Sequence, residues 1–391
     1  MLVKNSDKIK PFPIYVYFSV ILILTLCGIV VSGYLSVSHY RVYTDIDYSS
    51  FCAISKAINC DTVSQSPYSI FSGIPVPIWG VLGYIFLLAT LLLSFDIKSK
   101  IIIIFHTLFF IGILFSIISI FLGILSAVKI HSYCLMCIVT YGINFMLLYM
   151  IWLMKQRFEK KNWRTAISDN IIFWKSSKAR AFKYYSPLIV LTIVLMIFIP
   201  KYWNMSYVDS GKQIITTGLT EDGDPWIGAQ TPELTIIEYA DYMCFQCKKM
   251  HFFLRNLISQ HPEKIRLVHK QFPMDKKFNP IIEENFHSGA GVLSLIAIYA
   301  IKKNKFWELN DYLYHYDMNK GAIYLRQIAK ETGLDLDALK TGIHELEIKQ
   351  KLKKNILSGL RRNISGTPSY VINNKVYTGQ IPSNILNAIR K

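Results

Sequence analysis

Residues 134–154 read Cys134-Leu-Met-Cys137-Ile-Val-Thr-Tyr141-Gly-Ile-Asn144-Phe-Met-Leu-Leu-Tyr-Met-Ile-Trp-Leu-Met154, two cysteines opening a stretch without a single charged side chain. A helix needs roughly 20 such apolar residues to cross a bilayer. Positions 134, 137, 141 and 144 follow helical spacing, so two sulfurs, a phenol and an amide share one face. The first turn of a helix carries the positive end of the backbone dipole, which favours a thiolate and sets two sulfurs close enough to bond. Polar side chains at membrane depth face a bundle interior or a ligand. A quinone is a ligand of this kind, and the Tyr141 hydroxyl is a donor for one of its carbonyls. The plainer alternative is a structural disulfide with two polar residues that pack helices.

Working outward, the chain has 391 residues, 52% of them hydrophobic and 18% charged, a balance normal for a protein partly in lipid. Length alone predicts two or three folding units. Runs free of Lys, Arg, Asp and Glu cover 11–38, 62–95, 101–128, 130–154 and 184–200. The first part of the second run is rich in Ser, Pro and Gly and reads as a loop leading into a helix near 79–95. The last run is short but apolar on every face, and is expected to be a fifth span. The first run is too long for a cleaved signal peptide and lacks a small-residue cleavage pattern. With the N-terminus in the cytoplasm, fourteen Lys and Arg fall inside and three (Arg41, Lys56, Lys129) fall in the short outer loops. That bias predicts five spans with residues beyond 200 outside. It also explains the net charge of +17 by membrane anchoring, so a nucleic-acid partner is not expected.

Six of the seven cysteines form close pairs: Cys52 with Cys60, Cys134 with Cys137, and Cys244 with Cys247. Cys27 stands alone and reads as a small core hydrophobe. No Cys/His ladder accompanies the pairs, so zinc is not expected. All three pairs fall on or near the outer side, where disulfides persist. Cys52 and Cys60 lie in a loop suited to carrying a sulfur between partners, since thiol–disulfide exchange demands direct contact. Glu238-Tyr-Ala-Asp-Tyr-Met-Cys244-Phe-Gln-Cys247 reads strand, turn, helix, which exposes the first sulfur at a helix N-terminus and shields the second. Strands are expected at 235–240 and 265–271, helices over 281–360, and a hairpin of 369–372 with 375–377 around Asn373-Asn374. Gly366-Thr367-Pro368 precedes that hairpin, and a cis-proline beside the dithiol would offer backbone groups to an incoming peptide. His131 reads as an interfacial residue, His39 and His106 carry no functional assignment, and the aromatic group around Phe306 and Trp307 reads as core.

Residues 14–154 resemble the vitamin K epoxide reductase family, on Cys52, Cys60-Asp-Thr-Val-Ser-Gln-Ser66, Gly73, and Cys134-Leu-Met-Cys137 with Tyr141 and Asn144. The resemblance implies a four-helix bundle holding a quinone. Cys137 would face the quinone, Cys134 would exchange with Cys60, and Cys52 would meet the external partner. Ser66 would help hold the loop and Tyr141 would contact a quinone oxygen. The asparagine that the animal enzymes carry at the start of the second span is missing from 74–84, so plain quinone rather than an epoxide is the implied substrate. Residues from about 225 onward resemble the DsbA-like branch of the thioredoxin fold. There Glu238 would be the buried carboxylate that moves protons for Cys247, and Pro368 the cis-proline. The dipeptide Phe245-Gln246 departs from the proline and histidine of DsbA.

The expected architecture is therefore multi-domain: an all-α transmembrane four-helix bundle over 1–155, a basic loop and fifth span over 156–200, a linker over 201–230, and a soluble α/β thioredoxin-like domain with a helical insertion over 231–391. The expected activity is protein-dithiol oxidation coupled to ubiquinone or menaquinone in a bacterial inner membrane, with a periplasmic C-terminal domain. Reduced secreted proteins would be the clients and membrane lipid the surroundings. Outward electron flow in a reductase or isomerase, and a peptide-binding scaffold with structural cysteines, remain open alternatives.

Overall fold

The computed structural model describes residues 12–46, 48–54, 57–96, 101–158, 172, 175, 178–205, 215–284, 286–316 and 324–390. The chain divides into two compact units, Met1–Tyr202 and Trp203–Lys391. Much of the basic charge behind the orientation argument, including Lys4, Lys8, Lys10, Lys56, Lys98, Lys100, Lys160, Lys161 and Arg164, lies outside the described residues.

The first unit contains α1 (Ile14–Thr44), α2 (Cys60–Gln65), a small hairpin of β1 (Ile70–Phe71) and β2 (Ile74–Pro75), α3 (Val76–Asp96), α4 (Ile101–Leu125), α5 (Leu135–Phe158) and α6 (Lys178–Phe198). Four of these helices, α1, α3, α4 and α5, are long and apolar enough to cross a membrane; in α6 the apolar stretch is the shorter Phe182–Phe198. Helix α1 packs on α3 and α5, and α4 on α5. Lipid gives no hydrophobic drive for such contacts, so small residues that let backbones approach decide them. Gly28 is one: a Cβ there would sit 2.4 Å from the Tyr84 ring of α3. After α4 the π-turn Ser126–Ile130 and a left-handed His131 (φ 55°) reverse the chain into α5. The loop before α2 is tied to the start of α5 by hydrogen bonds from Asn59 N–H to Tyr133 O (2.9 Å) and from Tyr133 N–H to Ala57 O (2.7 Å).

The second unit is a six-stranded sheet flanked by helices. Its strands are β3 (Thr217–Leu219), β4 (Pro225–Gly228), β5 (Leu234–Ala240), β6 (Ile265–Gln271), β7 (Ser369–Ile372) and β8 (Lys375–Thr378), in the order β3-β4-β6-β5-β7-β8. Among the described strands only β5 and β6 pair in parallel, joined by α7 (Phe245–Gln260) as a crossover helix must join them. Between β6 and β7 run α8 (Ala290–Lys302), α9 (Phe306–His315), α10 (Leu325–Thr332), α11 (Leu336–Gly342) and α12 (Leu346–Leu360), and α13 (Ser383–Arg390) follows β8. The hairpin turn is Asn373-Asn374, both at positive φ, the geometry that suits the twist of two paired strands. Phe306 and Tyr314 are buried in the core.

Two expectations change. The segment 201–230 is not linker throughout, because β3 and β4 lie within it and β4 pairs with β6. Its Glu221-Asp222-Gly223-Asp224 run is the turn of a hairpin, with Gly223 at φ 74°. Gly228 closes that edge; its φ is 115° and a Cβ would fall 2.0 Å from Ile265 O. The helical insertion begins at Ala290, not 281, and the loop that precedes it enters the functional site described below.

Candidate functional site

In the first unit, Cys52 and Cys60 form a disulfide with Cα atoms 5.6 Å apart. Both are buried, in one cluster with Cys134 and Leu35, and Cys137 packs against it. Helix α2 starts at Cys60 and is capped by Asn59, whose Oδ1 accepts from Asp61 N–H (3.0 Å) and Thr62 N–H (3.1 Å). Asp61 Oδ2 in turn accepts from Ser50 N–H at 3.0 Å, closing the strap over Cys52. Cys134 caps α5: its carbonyl accepts from Ile138 N–H, and its sulfur accepts from Cys137 N–H at 3.1 Å. Ser66 holds the end of α2 through Oγ to Val63 O, 2.8 Å.

Beyond Cys137 lie two adjoining cavities of about 70 and 170 Å³, with Cys137, Tyr141 and Leu35 lining both. Ser66, Ser69 and His39 line the smaller, while Thr140 and Asn144 line the larger. Asn144 is already engaged, its Oδ1 by Tyr84 OH (2.6 Å) and its Nδ2 by Ser119 Oγ (2.9 Å). Its side chain is thereby fixed in the wall of the larger cavity, which Tyr141 also lines. His39, unassigned from sequence, is fully buried between Ser69 Oγ (3.2 Å) and Tyr202 OH (2.8 Å). An ionisable residue inside an apolar span was the signal that could have found it. Cys27 is exposed on α1.

The second unit repeats the motif in a different setting. Cys244 caps α7, its carbonyl accepting from Lys248 N–H, and its sulfur lies 3.4 Å from Thr367 O. The Thr367–Pro368 peptide is cis. Cys247 is buried one turn inward, and Asp241 N–H points to its sulfur at 3.5 Å. Hydrogen bonding from Cys247, working against burial, pulls the Cys244 thiol down to about 7. Burial, together with the hydrogen bond to Cys244, pushes Cys247 well up. That asymmetry suits the first sulfur to attack and depart and the second to resolve a mixed disulfide.

Glu238 is buried on β5 and pairs with His269 Nδ1 of β6 at 2.6 Å. Asp241, also buried, was quoted in the motif without a role. Its Oδ1 accepts from Met243 N–H (2.7 Å), and its Oδ2 accepts from Met274 N–H (2.7 Å) and His287 Nδ1 (2.9 Å). His287 comes from the loop before α8, which sequence periodicity had assigned to a helix. Among the described residues no cluster of His, Cys, Asp and Glu could hold a metal ion.

Fold and sites define a disulfide redox protein, with one dithiol system in a helical bundle and another in an α/β domain. Residues 19–152 match the vitamin K epoxide reductase family and residues 220–390 match a thioredoxin family. The chain is a vitamin K epoxide reductase-family domain fused to a thioredoxin domain. Similar solved structures include a thioredoxin-like oxidoreductase from Silicibacter pomeroyi, at 20% identity and a TM-score of 0.37, covering 44% of this chain and 91% of that one. The thiol-disulfide exchange protein alpha-DsbA2 from Wolbachia pipientis is similar at 21% identity and a TM-score of 0.34, over 42% and 84%. Among curated proteins, the Na(+)/H(+) antiporter NhaA 3 of Salinispora tropica is 26% identical over 165 residues, 42% of this chain and 23% of its own length. The antiporter NhaA 1 of Salinispora arenicola is 23% identical over 43% of this chain and 24% of its own length. The chain therefore spans about a quarter of the curated relatives it matches.

Proposed function

We propose that this chain is a quinone-dependent thiol oxidase of a bacterial inner membrane, driving disulfide formation in secreted proteins. The observation that carries the reading is the clustering of Cys60, Cys52 and Cys134 in one buried group, with Cys137 on its far side lining a cavity. A loop disulfide, a helix-cap thiol and a ligand cavity stand in the order an electron pair would need.

A client dithiol loses two electrons and two protons to the Cys244–Cys247 disulfide. The resulting Cys244–Cys247 dithiol reduces Cys52–Cys60, and Cys60 then exchanges with Cys134. That leaves Cys134–Cys137 reduced at the cavity wall. A cavity of roughly 150 Å³ lined by apolar groups is enough for one six-membered ring, so the 170 Å³ here fits a quinone head group. Tyr141 would donate to its carbonyl, and a bound quinone would supply a two-electron, two-proton acceptor. The mobile carrier is the Cys52–Cys60 strap, since both sulfurs are buried and an external thiolate reaches neither unless it opens. Fusion makes the inter-domain exchange intramolecular.

On this reading the chain crosses the membrane five times and the thioredoxin domain lies in the periplasm; contacts within the first unit support the fifth crossing. The apolar stretch of α6, Phe182–Phe198, is about 25 Å long at 1.5 Å per residue, the short limit for a bilayer core. Tyr185 near its start bonds Thr90 at the end of α3 (2.8 Å), while Tyr202 beyond its end bonds His39 near the far end of α1 (2.8 Å). The helix thus runs the depth of the bundle.

Quinone reduction by the purified full chain, given a reduced peptide dithiol, tests the reading. Wild type is expected to turn over with a ubiquinone or menaquinone analogue, and Cys137→Ala and Cys244→Ala are expected to be inert. A wild type inert with both quinones sinks the oxidase. A Cys244→Ala protein as active as wild type removes the outer domain from the path.

A further inference from the structure

The dipeptide between Cys244 and Cys247 is Phe245-Gln246, which brings no charge to a thiolate. Yet a buried carboxylate, Asp241, lies one turn away, with its backbone N–H on the Cys247 sulfur and its backbone carbonyl accepting from Cys244 N–H at 3.1 Å. An uncompensated carboxylate so placed opposes a second negative charge on Cys244. The compensation comes from outside the motif. His287 Nδ1 meets Asp241 Oδ2 at 2.9 Å, and the ring lies under Phe286, stacked at 4.2 Å. The loop bearing it is built to hold that position. His287 N–H donates to Met274 O, and Asp275 Oδ2 accepts from Gly289 N–H (2.9 Å) and Gly291 N–H (3.2 Å).

We propose that His287 is a positioning residue for disulfide exchange: held as an imidazolium by Asp241, it supplies from the loop before α8 the positive charge that the Cys-x-x-Cys dipeptide lacks. Exchange runs in two steps. A client thiolate attacks Cys244, forming a mixed disulfide and releasing Cys247, which takes up a proton. The client's second thiolate then attacks its own sulfur in that bond, forming the client disulfide and releasing Cys244 as a thiolate. His287 acts on this second departure, stabilising the leaving sulfur without touching the client. The same charge favours Cys244 as the attacking thiolate when electrons flow the other way, so the proposal rests only on dithiol exchange and not on the quinone.

The sign of the pH dependence follows from the charges that act on the ring, those of Asp241, Cys244 and Asp275. Burial works against the imidazolium, but the hydrogen bond and charge of Asp241, with Cys244 and Asp275 behind it, outweigh burial and leave His287 raised above its ordinary value. The charge is therefore fully present below the ordinary imidazole value. It is lost as pH rises through the raised value, leaving Asp241 unscreened against the sulfur.

The test is the pH profile of Cys244 alkylation by iodoacetamide in the reduced full chain, read by mass spectrometry. Wild type is expected to turn at about 7. His287→Gln keeps a donor for Asp241 but no charge; its midpoint is expected about one unit higher, so that labelling at pH 6 falls about tenfold. His287→Lys restores a charge and is expected to return the midpoint toward wild type. A Gln variant with an unmoved midpoint overturns the proposal, and so does a Lys variant displaced as far as Gln, which makes the effect one of packing. A measurement on wild type alone guards against variants that fail to fold. Linkage requires the His287 titration, followed by NMR of ring-labelled histidine, to move upward when Cys244–Cys247 is reduced. An unchanged titration overturns the proposal by itself.

Discussion

The two Cys-x-x-Cys motifs share a backbone and differ in everything around it. In both, the first cysteine caps a helix and its carbonyl accepts the first helical N–H at 3.1 Å. Beside Cys244 and Cys247 stand ionisable groups, Asp241 and the His287 that pairs with it. Around Cys134 and Cys137 they are a second disulfide, apolar side chains and a cavity. In water-facing protein a thiol can be tuned by charge, because partners for each charge are available. At membrane depth an unpaired charge costs kilocalories, so control falls to contact and access. The outer dithiol is governed by electrostatics, the inner one by which sulfur is allowed to reach it.

The sharpest way to break this contrast is to remove the second cysteine of each motif. Both losses are expected to cut turnover at least about a thousandfold, since a covalent exchange has no substitute sulfur. They should stop in different places. Cys247→Ala lacks its resolving thiol, so Cys244 accumulates mixed disulfides with client, visible as added mass on a non-reducing gel. Cys137→Ala leaves Cys134 without its helix partner and strands it on Cys60, an internal bond that adds no mass. If Cys137→Ala also accumulates client, the inner pair takes thiols directly and the strap is not a carrier.

This division explains what could be read from sequence. Four of the spans, the strands β5 and β6 and the three cysteine pairs were legible because hydrophobic periodicity and residue spacing encode them locally. What escaped is non-local. His287 lies 40 residues beyond Cys247 in a stretch whose composition looks helical, and only the close of β6 brings it to Asp241. The hairpin of β3 and β4 was lost because an acidic Gly-bearing turn has the composition of a linker. His39 was visible as a polar residue in an oily helix, but Tyr202, its partner, is 163 positions away. Asn144 was read as a ligand contact from its face alone; its bonds to Tyr84 and Ser119 give it a wall-building role that spacing cannot reveal.

A smaller effect separates the cavity from the dithiol that feeds it. Tyr141→Phe removes the hydroxyl and keeps the ring, so the cost is one hydrogen bond, about 1 kcal/mol, or roughly fivefold. It is expected to appear as a raised KM for quinone, with Cys244 alkylation and Cys52–Cys60 reduction unchanged. Equal loss in Asn144→Ala without a change in helix packing would return Asn144 to the ligand.

A further effect of the same size bears most directly on access. Asn59 caps the short helix that begins at Cys60, and the same segment is pinned by Asp61 to Ser50 beside Cys52. A six-residue helix has little stability of its own, so its cap is a large part of what holds the strap down. Losing such a cap costs about 1 kcal/mol. Spent on opening the strap, that energy raises the exposed population of Cys52–Cys60 about fivefold. Asn59→Ala is therefore expected to speed reduction of this disulfide by a water-soluble thiol about fivefold, while the Cys244–Cys247 disulfide in the same molecules reacts at its wild-type rate. If the loop disulfide reacts no faster, the buried sulfurs are reached without opening, and access does not govern the inner pair. If both disulfides speed up together, the two regions are not independently controlled, and the contrast between charge and access does not hold.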